Sequence, residues 1–213
     1  NIKSFNEALL PMLGWIGTTC FLIGIEDFSS AAMLLLLSFT MMFIARMSLL
    51  HLGFFVICGL IGAVALVGQS TERQSRINNY VQQIIHIESS EFQSGAGYQA
   101  QQAQIAIAKG GLLGVGIGKS TQRDFLPAPY NDFIYAIVAE EYGLLGAVLL
   151  LLAFVLILIR GVIYIAKNAP DELGTLMAVA CTLHIVLYGF VNAAVASGLF
   201  PVTGLPIPFI SYG

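Results

Sequence analysis

Five stretches of the chain are nearly unbroken apolar sequence: residues 6-25, 28-45, 52-68, 133-159 and 174-196. Each runs for roughly 17 to 27 residues with few or no charges, which matches the ~20 residues an α-helix needs to cross ~30 Å of hydrocarbon. The pattern therefore predicts five membrane spans. Between the third and fourth lies a segment of mixed polarity, 69-132, too long to be a turn. Within it, Tyr98 to Ala108 is built of good helix formers with a glutamine stripe at Gln99, Gln101, Gln102 and Gln104. That predicts a helix lying along the membrane, lining a wet groove or simply solvated. Gly110, Gly111, Gly114, Gly116 and Gly118 follow, a backbone free to adopt positive φ. After the fifth span, Pro201, Pro206 and Pro208 with Gly198 and Gly204 forbid a continuous helix. Irregular backbone at membrane depth is tolerated only against protein or water, so this stretch is expected to wall a cavity.

Composition adds the class. With 57% hydrophobic and 10% charged residues and a mean hydropathy of +0.84, the chain lacks the charge to cover a soluble globule. The fold class is all-α, a polytopic membrane helix bundle with a long loop on one side. A net charge of -3, divided among several loops, argues against a nucleic-acid-binding surface. Cys20, Cys58 and Cys181 lie singly in apolar sequence, which supports neither a disulfide framework nor a zinc site. The opening residues, Asn1 to Asn6, read as a loop cut from something longer, so the chain is expected to be a fragment of a larger bundle.

Charge in the loops gives an orientation. Lys3, Arg46, Arg160 and Lys167 flank alternate ends of the spans, and the turn after the first span carries Glu26 and Asp27 instead. The positive-inside rule then makes the N-terminal end cytoplasmic and puts 69-132 and 197-208 outside. The basic residues of the long loop do not overturn this, because loops of such length translocate largely regardless of charge.

Asp132 is the first candidate for chemistry. It begins the fourth span behind Pro127 and Pro129, a position where a carboxylate can either complement the helix dipole or, partly desolvated, act as a base. Glu140 and Glu141 lie about two turns further in, where an acid is costly unless paired or protonated; Glu140 is the better candidate to support Asp132, with helix packing or pairing with an arginine an equal alternative. His184 and Asn192 are single polar groups in the fifth span, suited to interhelical hydrogen bonds. Gly118-Lys119-Ser120 ends like a phosphate loop, but Leu113 stands where that motif needs its first glycine.

The run Phe125-Leu126-Pro127-Ala128-Pro129-Tyr130-Asn131-Asp132-Phe133, the Tyr98-Gln99 pair, Arg73-Gln74-Ser75-Arg76-Ile77 and the ending 198-213 together resemble the SEDS family, the FtsW/RodA/SpoVE polymerases of bacterial cell-wall glycan. Asp132 and Phe133 match the end of the family's Pro-Glu-x-His-x-Asp-Phe motif and Pro127 its first position, whereas Ala128 and Tyr130 depart from its Glu and His. Those departures are more FtsW-like than RodA-like. The resemblance implies an inverting peptidoglycan glycosyltransferase of the bacterial cytoplasmic membrane, acting at the division septum on lipid II, an undecaprenyl diphosphate-linked disaccharide-peptide. It implies Asp132 as the catalytic acid, and Arg73, Arg76, Gln99, Lys109, Lys119, Arg123, Pro201, Gly204 and Ser211 as substrate-binding residues, with Glu140 and Asn192 supporting them. Arg73 and Arg76 form the preferred pair for the leaving diphosphate. A divalent cation, magnesium or manganese, is a candidate counter-charge whose ligands the sequence does not identify. The implied partners are a class B penicillin-binding protein transpeptidase, other division proteins and membrane lipid; small residues at Gly59 and Gly62 suit close helix approach. A lipid II flippase and a non-catalytic scaffold of the division machinery are the rival readings.

Overall fold

The computed structural model describes residues 10–85, 95–126 and 129–212, and among these all regular structure is helical. In chain order the helices are α1 (Leu10–Glu26), α2 (Phe28–Ile44), α3 (Leu49–Gly68), α4 (Thr71–Ile85), α5 (Gly95–Gly110), α6 (Ile134–Ile159) and α7 (Glu172–Ala196). A π-helical segment, Arg160–Ala166, continues α6. Among the described residues three helices are long and apolar enough to cross a membrane: α3, α6 with its continuation, and α7. The other two apolar helices, α1 and α2, have 17 residues each. Lys3, residues 6–9 of the first expected span, Pro127 and Ala128 lie outside the described residues.

The helix ends follow local chemistry. Asp27, read above as part of an acidic turn, is the N-cap of α2 and accepts from the amides of Ser29 and Ser30. Asp171 caps α7 by accepting from Gly174 N at 2.7 Å. After α2, Arg46 adopts φ 56°, and Met47 N donates back to Met42 O, closing the helix with a left-handed residue.

The chain divides into two compact units, and the boundary at Gln74 falls within α4. In the first, Met42, Met47, Leu52 and Phe55 form a buried cluster, with Leu13, Ile16, Leu35 and Phe39 packed on it. Arg73 closes this unit from above: Nη2 donates to Ile25 O at 2.7 Å and Nη1 to Leu66 O at 3.2 Å, and the guanidinium lies over the Phe28 ring. Both carbonyls sit in the last turns of α1 and α3, where unpaired C=O groups and the helix dipole favour a cation.

In the second unit α5 packs on α6 through small residues. Ala100, Ala103, Ala106 and Gly110 recur on one face and are buried, and a Cβ at Gly110 would collide with the carbonyl of Ala139. The α6–α7 contact uses the same device, Gly189 facing the Phe154 ring and Gly161 making room for the Thr182 side chain. Helices in lipid gain most from such close packing, since burial of apolar surface offers little there.

The expectation of one uninterrupted helix over 133-159 needs a correction. Gly143 has φ 70° and ψ −169°, a conformation reserved for glycine, and it interrupts α6. The amides of Leu144 and Leu145, displaced from their helical partners, donate instead to Gly111 O and Leu112 O; in return Val115 N donates to Glu140 O and Gly116 N to Glu141 O. The glycine-rich loop after α5 thus completes the hydrogen bonding of a broken helix. The segment 69-132 is likewise more ordered than expected, since α4 occupies its first part. Its signal was Ile77, Val81 and Ile84 at helical spacing behind Ser70, whose hydroxyl accepts from Arg73 N.

Gly143→Ala should destabilise the protein by more than the ~1–3 kcal/mol of a disallowed backbone, because its Cβ would also strike Gly114 N and Leu112 O. Gly62→Ala is the control, a helical glycine with nothing within 4 Å of the added carbon, where alanine is favoured by roughly 0.5–1 kcal/mol. Thermal unfolding in detergent should show a lower midpoint for the first only; equal midpoints would contradict the patched break.

Candidate functional site

Asp132 sits in the turn that leads into α6, followed by Phe133, which is buried and fixes the entry of the helix. The backbone here is held unusually well. Three successive carbonyls each accept a hydrogen bond from the C-terminal stretch or α7: Tyr130 O from Tyr212 N at 3.0 Å, Asn131 O from Ser211 Oγ at 2.7 Å and Asp132 O from Asn192 Nδ2 at 2.8 Å. Asn192 also donates to Leu205 O at 2.7 Å, and Ser211 Oγ accepts from Ile207 N at 2.8 Å. One buried amide and one hydroxyl therefore tie the acid's turn to the Pro/Gly-rich ending.

The carboxylate itself is treated differently. It is half-buried and, among the described residues, accepts no hydrogen bond. Gly204, at φ 74°, comes close enough that an added Cβ would lie 3.6 Å from Asp132 Oδ2. Burial pushes the Asp132 pKa above the ordinary carboxylate range, and the positive charge of Arg76 partly opposes that rise. Arg76, on α4, borders a small pocket with Asn79, Tyr80, Gly97, Phe200 and Pro201. Tyr80 fixes this edge of α4 by donating from its hydroxyl to Leu199 O at 2.6 Å.

Of the residues expected at the site, the structure thus brings together Asp132, Arg76, Gly204, Pro201, Asn192 and Ser211, the last two as braces of the backbone. Arg73 lies in the first unit, where its guanidinium donates to the helix-end carbonyls of Ile25 and Leu66. Glu140 does not support Asp132 either. It is fully buried and accepts from the Ser120 hydroxyl, from Thr121 N and Oγ1 at 3.1 Å each, and from Gln122 N at 3.2 Å. Those donors satisfy the buried carboxyl oxygens and lock the far end of the glycine loop onto α6. Lys109 donates to Thr121 Oγ1, and Arg123 reaches the Tyr130 hydroxyl at 3.3 Å and Asp124 at 3.5 Å. Lys119 is exposed, its stem lying against Gly116, and Gln99 is half-buried on α5. Sequence reasoning missed Tyr80 and the Ser120-Thr121-Gln122 cap, whose first residue it read only as the end of a failed phosphate loop.

The donor set can be tested against a divalent cation. Among the described residues no three His, Cys, Asp or Glu side chains gather, and Asp132 has a guanidinium, not a second acid, as its charged neighbour. These residues do not make a protein-built metal site.

The model of the cell cycle protein family FTSW_RODA_SPOVE matches residues 2–213. The chain belongs to this family. Stage V sporulation protein E of Bacillus subtilis (strain 168) is 38% identical over 215 residues, covering 100% of this chain and 57% of that protein. A probable peptidoglycan glycosyltransferase FtsW of Coxiella burnetii is 34% identical over 99% of this chain and 56% of its own length. Peptidoglycan glycosyltransferase MrdB of Escherichia coli (strain K12) is 45% identical over 121 residues, 56% of this chain and 32% of the relative. FtsW-named relatives agree with the FtsW-like reading. The chain spans about half the length of the curated relatives that match it throughout. A solved structure, described as the structural coordination of polymerization and crosslinking by a peptidoglycan synthase complex, matches with a TM-score of 0.61 at 24% identity, over 96% of this chain and 54% of that one. It supports the fold, a SEDS-type membrane helix bundle.

Asn192→Ala should leave the carbonyls of Asp132 and Leu205 buried without donors, at ~1–3 kcal/mol for each group left unpaired. Hydrogen exchange of the Ile207 amide, which donates to Ser211 Oγ, is expected to accelerate and the melting midpoint to fall. Wild-type exchange and midpoint in that variant would show that the amide is not the brace.

Proposed function

We propose that this chain forms the catalytic part of a peptidoglycan glycosyltransferase that polymerises lipid II during septal wall synthesis, with Asp132 as general base. The observation that carries this reading is a carboxylate whose backbone is braced by Asn192 and Ser211 while its oxygens accept no hydrogen bond among the described residues. An acid held this way is free to bind a proton donor from substrate, and its raised pKa makes it a stronger base than an ordinary aspartate.

In the reaction, the 4-hydroxyl oxygen of the acceptor sugar attacks the anomeric carbon of the donor from the face opposite the diphosphate, inverting that centre. The hydroxyl proton passes to the Asp132 carboxylate. The bond from the anomeric carbon to the diphosphate oxygen breaks, and its electron pair leaves with undecaprenyl diphosphate. Arg76 supplies positive charge beside the acid and stabilises charge that grows in the transition state. Gly204 lies against the carboxylate, an added Cβ coming 3.6 Å from Asp132 Oδ2, so glycine leaves room there that a side chain would take.

The septal assignment rests on the FtsW-named relatives and on the departures at Ala128 and Tyr130. A class B penicillin-binding protein is the proposed partner, supported by the solved synthase complex that shares this fold. Other division proteins and an extracytoplasmic position for the catalytic face complete the proposal.

Asp132→Asn keeps the size of the side chain but cannot take a proton, so polymerisation of purified lipid II should fall by the ~10²- to 10⁴-fold of a lost general base, with insertion and folding unchanged. Near-normal polymer would remove the mechanism. Movement of labelled lipid across vesicles without polymer would favour the transporter reading.

A base must be ionised, so kcat/KM should fall as pH drops through the Asp132 pKa. Arg76 holds that pKa down, and Arg76→Gln should therefore move the acid limb of the profile to higher pH as well as slow the reaction. A slower enzyme with an unmoved limb would assign Arg76 to substrate alone.

A further inference from the structure

The loop that patches the broken helix carries an unexplained feature. Leu112, Leu113 and Ile117 are 70%, 78% and 73% exposed, on a backbone with four hydrogen bonds to residues 140–145 of α6. The Glu140 carboxylate holds the far end of the same loop through residues 120–122. Large apolar side chains on so firmly held a loop are displayed, and the level at which they are displayed can be read from α6.

Before the break, Ile134 to Ile137, Ala139 and Glu140 are all buried within the protein. From Tyr142 onward the helix turns an apolar face outward, through Leu144, Leu145, Leu149, Leu152 and Leu156. The first charged residue along this face is Arg160, whose guanidinium lies over Tyr164, with exposed Val162, Ile163 and Ile165 beyond it. From Tyr142 to Arg160 the rise is ~27 Å at 1.5 Å per residue, close to the ~30 Å of the hydrocarbon core, and an aromatic at one end with an arginine at the other is the usual marking of the two interfaces. Leu112 is bonded to Leu145, just inside that boundary. Lys109 and Lys119, both exposed, flank the three apolar residues in sequence, so an apolar tip is bracketed by cations suited to lipid phosphates.

We infer that the 110–119 loop is an interfacial wedge: Leu112, Leu113 and Ile117 insert among the acyl chains of the leaflet on the Asp132 side, with Lys109 and Lys119 at the headgroups. The wedge continues the lipid-facing surface of α6. Part of the segment 69-132 then lies in the membrane, where its backbone can stay because α6 satisfies it. The anchored loop fixes the height of the Asp132 turn above the hydrocarbon.

The test uses the whole protein in phosphatidylcholine liposomes, with Cys58 and Cys181 replaced by Ala and buried Cys20 retained. Single cysteines are introduced as Leu113→Cys, Ile117→Cys and, as the exposed control, Asp124→Cys. Bimane at 113 and 117 should be quenched at least several-fold more strongly than at 124 by lipids brominated near the carbonyl end of the chains, and a membrane-impermeant maleimide should label 113 and 117 at least tenfold more slowly than 124. Equal labelling of all three positions would overturn the inference, placing the loop in water. Slow labelling without quenching would overturn it as well, because protein and not lipid would then cover the tip. The substituted residues are exposed, so folding is not at issue; the unlabelled variants should elute as the parent does in detergent.

Discussion

The hydrogen bonds exchanged across Gly143 are the interaction on which the second unit depends. A helix that stops pairing with itself near a membrane boundary leaves amides and carbonyls that neither lipid nor a side chain can satisfy at small cost. Here the glycine loop supplies both kinds of partner, and it can do so only because Gly110, Gly114 and Gly143 admit backbone-to-backbone approach that any Cβ would block. With the break satisfied, the first two turns of α6 can lean into protein while the rest faces lipid. The Asp132 turn sits at the head of the leaning part.

The same division between a fixed backbone and an open side chain recurs at that head. Holding three successive carbonyls while leaving the neighbouring carboxylate without donors gives the acid a defined position and an unquenched affinity for protons. A donor from Asn192 or Ser211 to the carboxylate itself would stabilise the ionised form and weaken the base. Both side chains are instead turned to main-chain oxygens. Arg76 acts through space, with no ion pair to Asp132 among the described residues, so it moderates the pKa without occupying the oxygens.

Much of the fold was legible because apolar length is a strong signal: the five apolar stretches and the helix at Tyr98 to Ala108 all correspond to helices, α1, α2, α3, α6, α7 and α5. The break at Gly143 was not, since a lone glycine in an apolar run is as compatible with an intact helix, and its conformation is set by a loop some thirty residues earlier. At the site, Asp132 stood out through its place between proline-stiffened loop and apolar helix. Arg73 misled because the Arg-x-x-Arg run carried by the family resemblance suggested a ligand shared with Arg76, whereas its guanidinium is aimed at the carbonyls of α1 and α3. Glu140 misled in the opposite way: angular position along α6 related it to Asp132, but the Ser120-Thr121-Gln122 segment that reaches it is distant in sequence and was invisible to helical geometry.

Asp132 and Glu140 show how one element can give two acids opposite duties. Both lie at the α6 end of the second unit, and composition alone does not distinguish them. Glu140 is sealed from solvent and accepts from two hydroxyl groups and two backbone amides, so its oxygens are fully engaged and removing their acceptor would leave buried donors unpaired. Such a group has no affinity left for a substrate and serves to hold the loop. Asp132 is only half-buried, meets no donor among the described residues and sees its nearest compensating charge at a distance, so its proton affinity rises and its oxygens stay available. Chemistry follows from the difference in donors. A site that hydrogen-bonded Asp132 as thoroughly as Glu140 would gain stability at this turn and lose the proposed base.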